Sequence, residues 1–171
     1  MKTSALRGFV PAFLMALVLA IVWGSIVQSQ YNLAALASIG ADVGSVRLQV
    51  TLRDIFSGFF PTYGGYVVAP ALLVAFGVVA LLEPKVPAAA RVPLYALAGL
   101  VALLIAIPLV NWFAPVALLV GATREWSCTF WMAAAGIPAG LLYALFAPAR
   151  RRHTDAPPVL VHAPADSSRG S

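Results

Sequence analysis

Hydrophobic positions along the chain fall into four long blocks. No Asp, Glu, Lys, Arg or His interrupts residues 8–41, 55–82, 92–123 or 126–149. A helix rises about 1.5 Å per residue and a bilayer's hydrocarbon core is about 30 Å thick, so one crossing takes about 20 apolar residues. Each block accommodates one crossing, and none accommodates two with a turn between them. The predicted spans are 8–27, 65–82, 92–112 and 126–146, the second being the shortest. The first resembles a signal peptide in its basic start, Lys2 and Arg7, and Val27-Gln28-Ser29 would serve as a weak cleavage site. Its apolar run exceeds the roughly 7–15 residues of a signal core, so it is expected to stay as an anchor.

The stretch between the first two spans, 28–64, is not an ordinary polar loop. Tyr31, Leu33, Leu36 and Ile39 predict a short helix that continues from the first span or follows it, with Gly40 as its end. From Val46 to Arg53 apolar and polar residues alternate, as in a strand. Leu48, Leu52, Ile55, Phe56 and Phe59 also form one stripe at helical spacing. A lone strand would leave its backbone unpaired, and no partner strand is evident. The favoured reading is an amphipathic interfacial helix over about 45–57, capped by Ser45 and stopped by Gly58. Pro61, Thr62, Tyr63, Gly64 and Gly65 read as a turn into the second span. Pro84 and Pro87 sit in a short loop that makes the second and third spans antiparallel neighbours. The third loop, with Pro115, is fairly apolar. From His153 onward Pro, Ala, Ser and Asp dominate without an apolar period, which predicts a disordered tail.

Composition agrees with folding in lipid. The chain has 171 residues, of which 61% are hydrophobic and 10% charged, with a mean hydropathy of +0.91. An ordinary soluble domain is about one quarter charged. A nucleic-acid binder, a secreted disulfide scaffold and a conventional soluble enzyme are thereby excluded. The 11 basic residues outnumber the 6 acidic ones, and their distribution orients the chain. Lys2, Arg7, Lys85, Arg91, Arg150, Arg151, Arg152 and Arg169 fall on one side of the four spans, and Arg47, Arg53 and Arg124 on the other. Cytoplasmic loops collect Lys and Arg, so both termini and the 83–91 loop are placed in the cytoplasm, and loop 28–64 faces outward. The Arg150, Arg151 and Arg152 triplet is the strongest topology anchor. The domain reading is a transmembrane unit over 1–147 and a basic juxtamembrane segment with a cytoplasmic tail over 148–171.

Candidate chemistry is sparse. Small residues recur every fourth position at Ala12, Ala16, Ala20 and Gly24, at Ala98, Ala102 and Ala106, and at Gly136, Gly140 and Ala144. Such ridges allow close helix approach where packing drives association. Gly136 and Gly140 are the best candidates for a contact between subunits. Pro11 and Pro70 are expected in first turns, whereas Pro108 and Pro138 should kink helix interiors. No ionisable residue lies inside a predicted span, although coupled transporters usually carry one. Ser25, Gln28 and Asn111 read as interface or interhelical hydrogen-bonding groups. On the outward side Arg53 and Asp54, with Arg124 and Glu125, form a candidate polar site together with Tyr63 or Trp126. The plainer expectation is solvated ion pairs beside an aromatic belt of Tyr66, Trp112 and Trp126. The single cysteine, Cys128, makes no disulfide, and both histidines lie in the tail. No catalytic residue, cofactor or metal site is expected.

Ser29-Gln30-Tyr31 after the first span, Thr51-Leu52-Arg53-Asp54 in the loop helix and the turn Pro61-Thr62-Tyr63 carry a resemblance. Over about residues 8–147 the layout resembles uncharacterised small four-span membrane proteins of proteobacteria. The resemblance implies topology and a bacterial inner-membrane location, and no activity. The expectation is an all-α integral membrane four-helix bundle with an amphipathic interfacial helix in its first outward loop. Its partners are the lipid bilayer and a further copy or another membrane protein, with no nucleic acid. The leading role is a non-enzymatic accessory or structural component. A small oligomeric transporter or channel is the alternative, and a membrane-embedded enzyme comes third.

Overall fold

A computed structural model describes residues 2–57, 60–113 and 126–149, with side chains for 8–56, 63–113 and 126–149. The described residues contain helices and turns and no strand. Helix α1 spans Lys2–Ser38 and α2 spans Arg47–Ser57. A widely wound helical segment, Phe60–Val68, leads into α3, Ala69–Leu82. Short 3-10 turns at Glu83–Lys85 and Ala88–Ala90 connect to α4, Arg91–Phe113. The last two helices are α5, Trp126–Ala133, and α6, Gly136–Phe146. Four stretches are long and apolar enough to cross a membrane: Gly8–Ser38, Tyr63–Lys85, Ala88–Phe113 and Trp126–Phe146.

Several local details differ from the sequence expectations, each for a physical reason. The first span and the helix beyond it are one unbroken α1, ended by Gly40 at φ +88°, a left-handed position that suits glycine. Because α1 begins at Lys2, Pro11 lies in its interior and not in a first turn. The 45–57 segment is helical, but the first bond, from Val50 N–H, is accepted by the Val46 carbonyl. Ser45 therefore stands one residue outside the cap position. The Asp42 carboxylate takes the Gly44 N–H at 3.2 Å and turns the chain ahead of α2. Gly58 and Phe59 lie outside the described residues. The expected turn at Pro61-Thr62-Tyr63-Gly64-Gly65 is helical instead. Proline costs little there because the first N–H groups of a helix have no intrahelical partner. The wide winding closes to α where Pro70, lacking an N–H, enters the first turn of α3.

The fourth apolar stretch is broken at Ala134–Ala135. Pro138 cannot donate to the Ala134 carbonyl, and Ile137 N–H takes it at 3.1 Å. Ala135 N–H bonds to Met132 O and not to Trp131 O. The indole N–H of Trp23 on α1 donates to Trp131 O at 3.0 Å and so ties α1 to the broken helix. Proline thus shapes this stretch while its displaced carbonyl keeps a partner.

The outer faces of the helices are apolar. Ala12, Ala16 and Ala20 are buried on α1, while Val10, Leu14, Met15 and Val18 are exposed. On α3, Leu73, Val74, Val78 and Leu81 are exposed, as are Leu97, Val101, Ile105 and Leu109 on α4. Many large apolar side chains thus cover the outer faces, while small residues line the α1 face beside buried large groups such as Phe76, Leu103 and Ile107. Helices α4 and α6 approach most closely. A Cβ on Gly99 would overlap the Gly136 carbonyl, one on Gly136 would overlap the Gly99 carbonyl, and one on Gly140 would overlap the Tyr95 carbonyl. The Gly136 and Gly140 ridge is therefore filled by the same chain. This corrects its assignment as a subunit contact, since α4 already occupies the face. Phe13, Phe76, Tyr95 and Tyr143, from α1, α3, α4 and α6, form an aromatic cluster, with Phe76 stacked on Tyr143 at 4.5 Å.

Gly99→Ala should destabilise the fold by about 1–3 kcal/mol through overpacking, and Gly136→Leu with Gly140→Leu should prevent folding. Thermal melting in detergent checks both. Gly77→Ala is the control and should be neutral or stabilising, because nothing lies within 4 Å of that Cβ.

Candidate functional site

Two polar arrangements stand out against the apolar helices. The first is at the junction of α3, α4 and α6. Glu83 follows the last turn of α3 and is buried, although a carboxylate at a helix C-terminus is unfavourably placed against the helix dipole. Arg91 opens α4, eight residues later, and the two prolines between them fold the chain back so that the side chains meet. Arg91 Nε donates to Glu83 Oε1 at 2.7 Å. Tyr95, one turn further along α4, donates its hydroxyl to Glu83 Oε2 at 3.2 Å. The guanidinium carbon lies 5.7 Å from the Tyr95 ring centre.

The other arms of Arg91 reach the end of α6. One terminal nitrogen donates to the Ala144 carbonyl and the other to the Ala147 carbonyl, the latter at 2.7 Å. The last carbonyls of a helix have no intrahelical donor and carry its negative dipole end. A planar, permanently charged fork satisfies two of them while also holding a carboxylate. The ion pair is nearly enclosed, with side chains 16% and 6% exposed, so removing one partner would strand the other. Sequence reasoning used Arg91 only as a topology charge. The missed signal was a lone acid ending one apolar run and a lone base opening the next, with Pro84 and Pro87 between them.

The second arrangement joins α2 to α1. Ser29 Oγ donates to Asp54 Oδ2 at 2.7 Å, and Gln30 Nε2 donates to Thr51 Oγ1 at 3.2 Å. The residues of the polar step after the first span thus bond directly to those of the loop helix. Asp54 is half-buried and held by Ser29, which corrects its reading as a solvated ion beside Arg53. Arg53 is exposed. Tyr63 is fully buried against Gly24, where a Cβ would lie 2.6 Å from its ring. Asp54 and Tyr63 are therefore committed to different points on α1. Arg124 and Glu125, the other half of the expected outward site, lie outside the described residues, as do the Arg150, Arg151 and Arg152 anchors and the tail. Close to this junction Ser25, Ser29, Tyr63, Cys128 and Thr129 are all buried. Ser25 Oγ and Gln28 Oε1 are buried polar atoms with no hydrogen-bond partner among the described residues. The aromatic positions Tyr66, Trp112 and Trp126 are strongly exposed. No group of three or more His, Cys, Asp or Glu side chains converges among the described residues.

The first arrangement closes a helix end, and the second fastens a loop helix. Arg91→Ala should destabilise the protein by about 3–5 kcal/mol. Arg91→Lys should recover only part of this, because an ammonium cannot span the three acceptors. Chemical or thermal unfolding in detergent measures both.

The chain matches no protein-family model, no curated protein and no solved structure.

Proposed function

We propose that the chain is a multi-pass protein of the bacterial inner membrane, acting as a non-enzymatic accessory or structural component through helix packing and its outward loop. Residues 8–147 form a four-span bundle related to the small proteobacterial four-span proteins, with both termini in the cytoplasm. Helix α2 lies along the outward membrane surface. The observation that carries this reading is the combination of four apolar stretches with many large side chains turned outward. In lipid that arrangement costs nothing, whereas in water it would leave many large apolar groups exposed. Arg91 supports a structural role, because its donors are spent on Glu83 and on the end of α6. A second reading, a small oligomeric transporter or channel, draws on the buried polar atoms of Ser25 and Gln28.

Cysteines introduced at Ser45 and Ser167 should label from opposite faces of sealed membranes, the native Cys128 being buried. Labelling of both from one face would overturn the topology. Purification in mild detergent should yield a stable complex with another membrane protein. Ion or solute flux from the purified protein in liposomes would overturn the accessory role in favour of the second reading.

A further inference from the structure

Helix α2 has three distinct faces. At about 100° per residue, Arg47, Thr51 and Asp54 share one side, Leu48, Leu52, Ile55 and Phe56 a second with Gln49 at its edge, and Val50 and Arg53 a third. The first side is polar and is the one bonded to α1, through Gln30 and Ser29. The apolar side is left uncovered, with Leu48 72%, Leu52 46% and Phe56 82% exposed. A loop helix on a soluble protein would be turned the other way. Arg47 and Arg53, both exposed, flank the apolar stripe at a distance, Arg47 beyond Thr51 and Arg53 beyond Gln49.

What covers the stripe follows from its level, its charge and its size. Ser29, the anchor of α2, is 21 residues beyond Gly8, or about 32 Å along α1, close to the thickness of the hydrocarbon core. The stripe therefore sits where acyl chains give way to headgroups. Cationic side chains flanking an apolar face complement the phosphate layer, with their guanidinium groups at the phosphates. A second copy of the chain is a poor occupant. An 11-residue helix is only about 16 Å long and about 10 Å wide, far short of the roughly 800 Å² per partner of a stable interface.

We infer that α2 is a phospholipid-binding edge: Leu48, Leu52 and Phe56 lie among outer-leaflet acyl chains, and Arg47 and Arg53 hold headgroup phosphates. The inference rests on the proposed outward placement of α2 at a membrane. Spin labels placed singly at Leu48, Val50, Leu52 and Phe56 of the full chain in phospholipid vesicles test it, with Val74 and Val101 as controls on the spans. Cys128 is buried and stays in place, and the parent chain serves as the blank. The labels at 48, 52 and 56 should favour oxygen over a water-soluble nickel chelate by about fivefold more than the label at 50. Equal nickel access at all four positions would overturn the inference, and so would shielding of 48, 52 and 56 from both agents, which means a protein partner. If Val74 and Val101 also lack the oxygen preference, the membrane reading itself fails. If they keep it and α2 alone fails, only this inference falls. Arg47→Gln with Arg53→Gln should raise nickel access at Leu52 about twofold. Unchanged access would overturn the phosphate contact.

Discussion

Three glycines bring the backbones of α4 and α6 into contact, and the rest of the packing is arranged around that crossing. Gly99, Gly136 and Gly140 leave no room for a methyl group between the helices. In hydrocarbon surroundings a leucine gains little by moving from the outside of the protein to its interior. Helix association then depends on many short-range dispersion contacts, which fall off steeply with separation. Glycine and alanine at the closest helix crossings give the most of those contacts. Ala12, Ala16 and Ala20 extend the same principle to α1, and the Phe13, Phe76, Tyr95 and Tyr143 cluster packs between α1, α3, α4 and α6.

Close packing is compatible with broken helices only when displaced backbone groups find partners. The interruption at Ala134–Ala135 frees the Trp131 carbonyl, and Trp23 takes it from α1. The end of α6 leaves the Ala144 and Ala147 carbonyls, and Arg91 takes them from α4. In each case one polar side chain from a neighbouring helix completes the hydrogen bonding, and the same bond fixes the neighbour in place. An unpaired carbonyl in a low-dielectric interior costs several times more than such a bond adds at a wet surface.

Much of the helix layout was legible in the sequence, because uninterrupted apolar runs have a direct length criterion. Gly40 marked the end of α1, and the Leu48, Leu52 and Phe56 stripe marked α2 as helical. Boundaries were harder to read. Apolarity identifies which residues tolerate lipid and not where winding begins, so Pro11 and the Pro61 turn were placed wrongly. The polar contacts were the least legible. Glu83 meets Arg91 only because two prolines fold the chain back, and Ser29 meets Asp54 across 25 residues. Adjacency in sequence suggested instead that Asp54 belongs with Arg53. The small-residue ridges were visible as spacing, but spacing does not say whether the facing helix comes from the same chain. The overlap of Gly136 with Gly99 supplies that answer.

The clasp at Arg91 also imposes an order on biogenesis. A ribosome delivers Glu83, Arg91 and Tyr95 well before Ala144 and Ala147, the last acceptors of the guanidinium. During that interval the nascent hairpin carries a charged group whose final ligands do not yet exist. Arrival of the end of α6 completes the coordination and turns an insertion intermediate into a closed assembly. A chain that stops before Ala144 differs from the finished one by an Arg91 that keeps Glu83 and lacks both backbone acceptors.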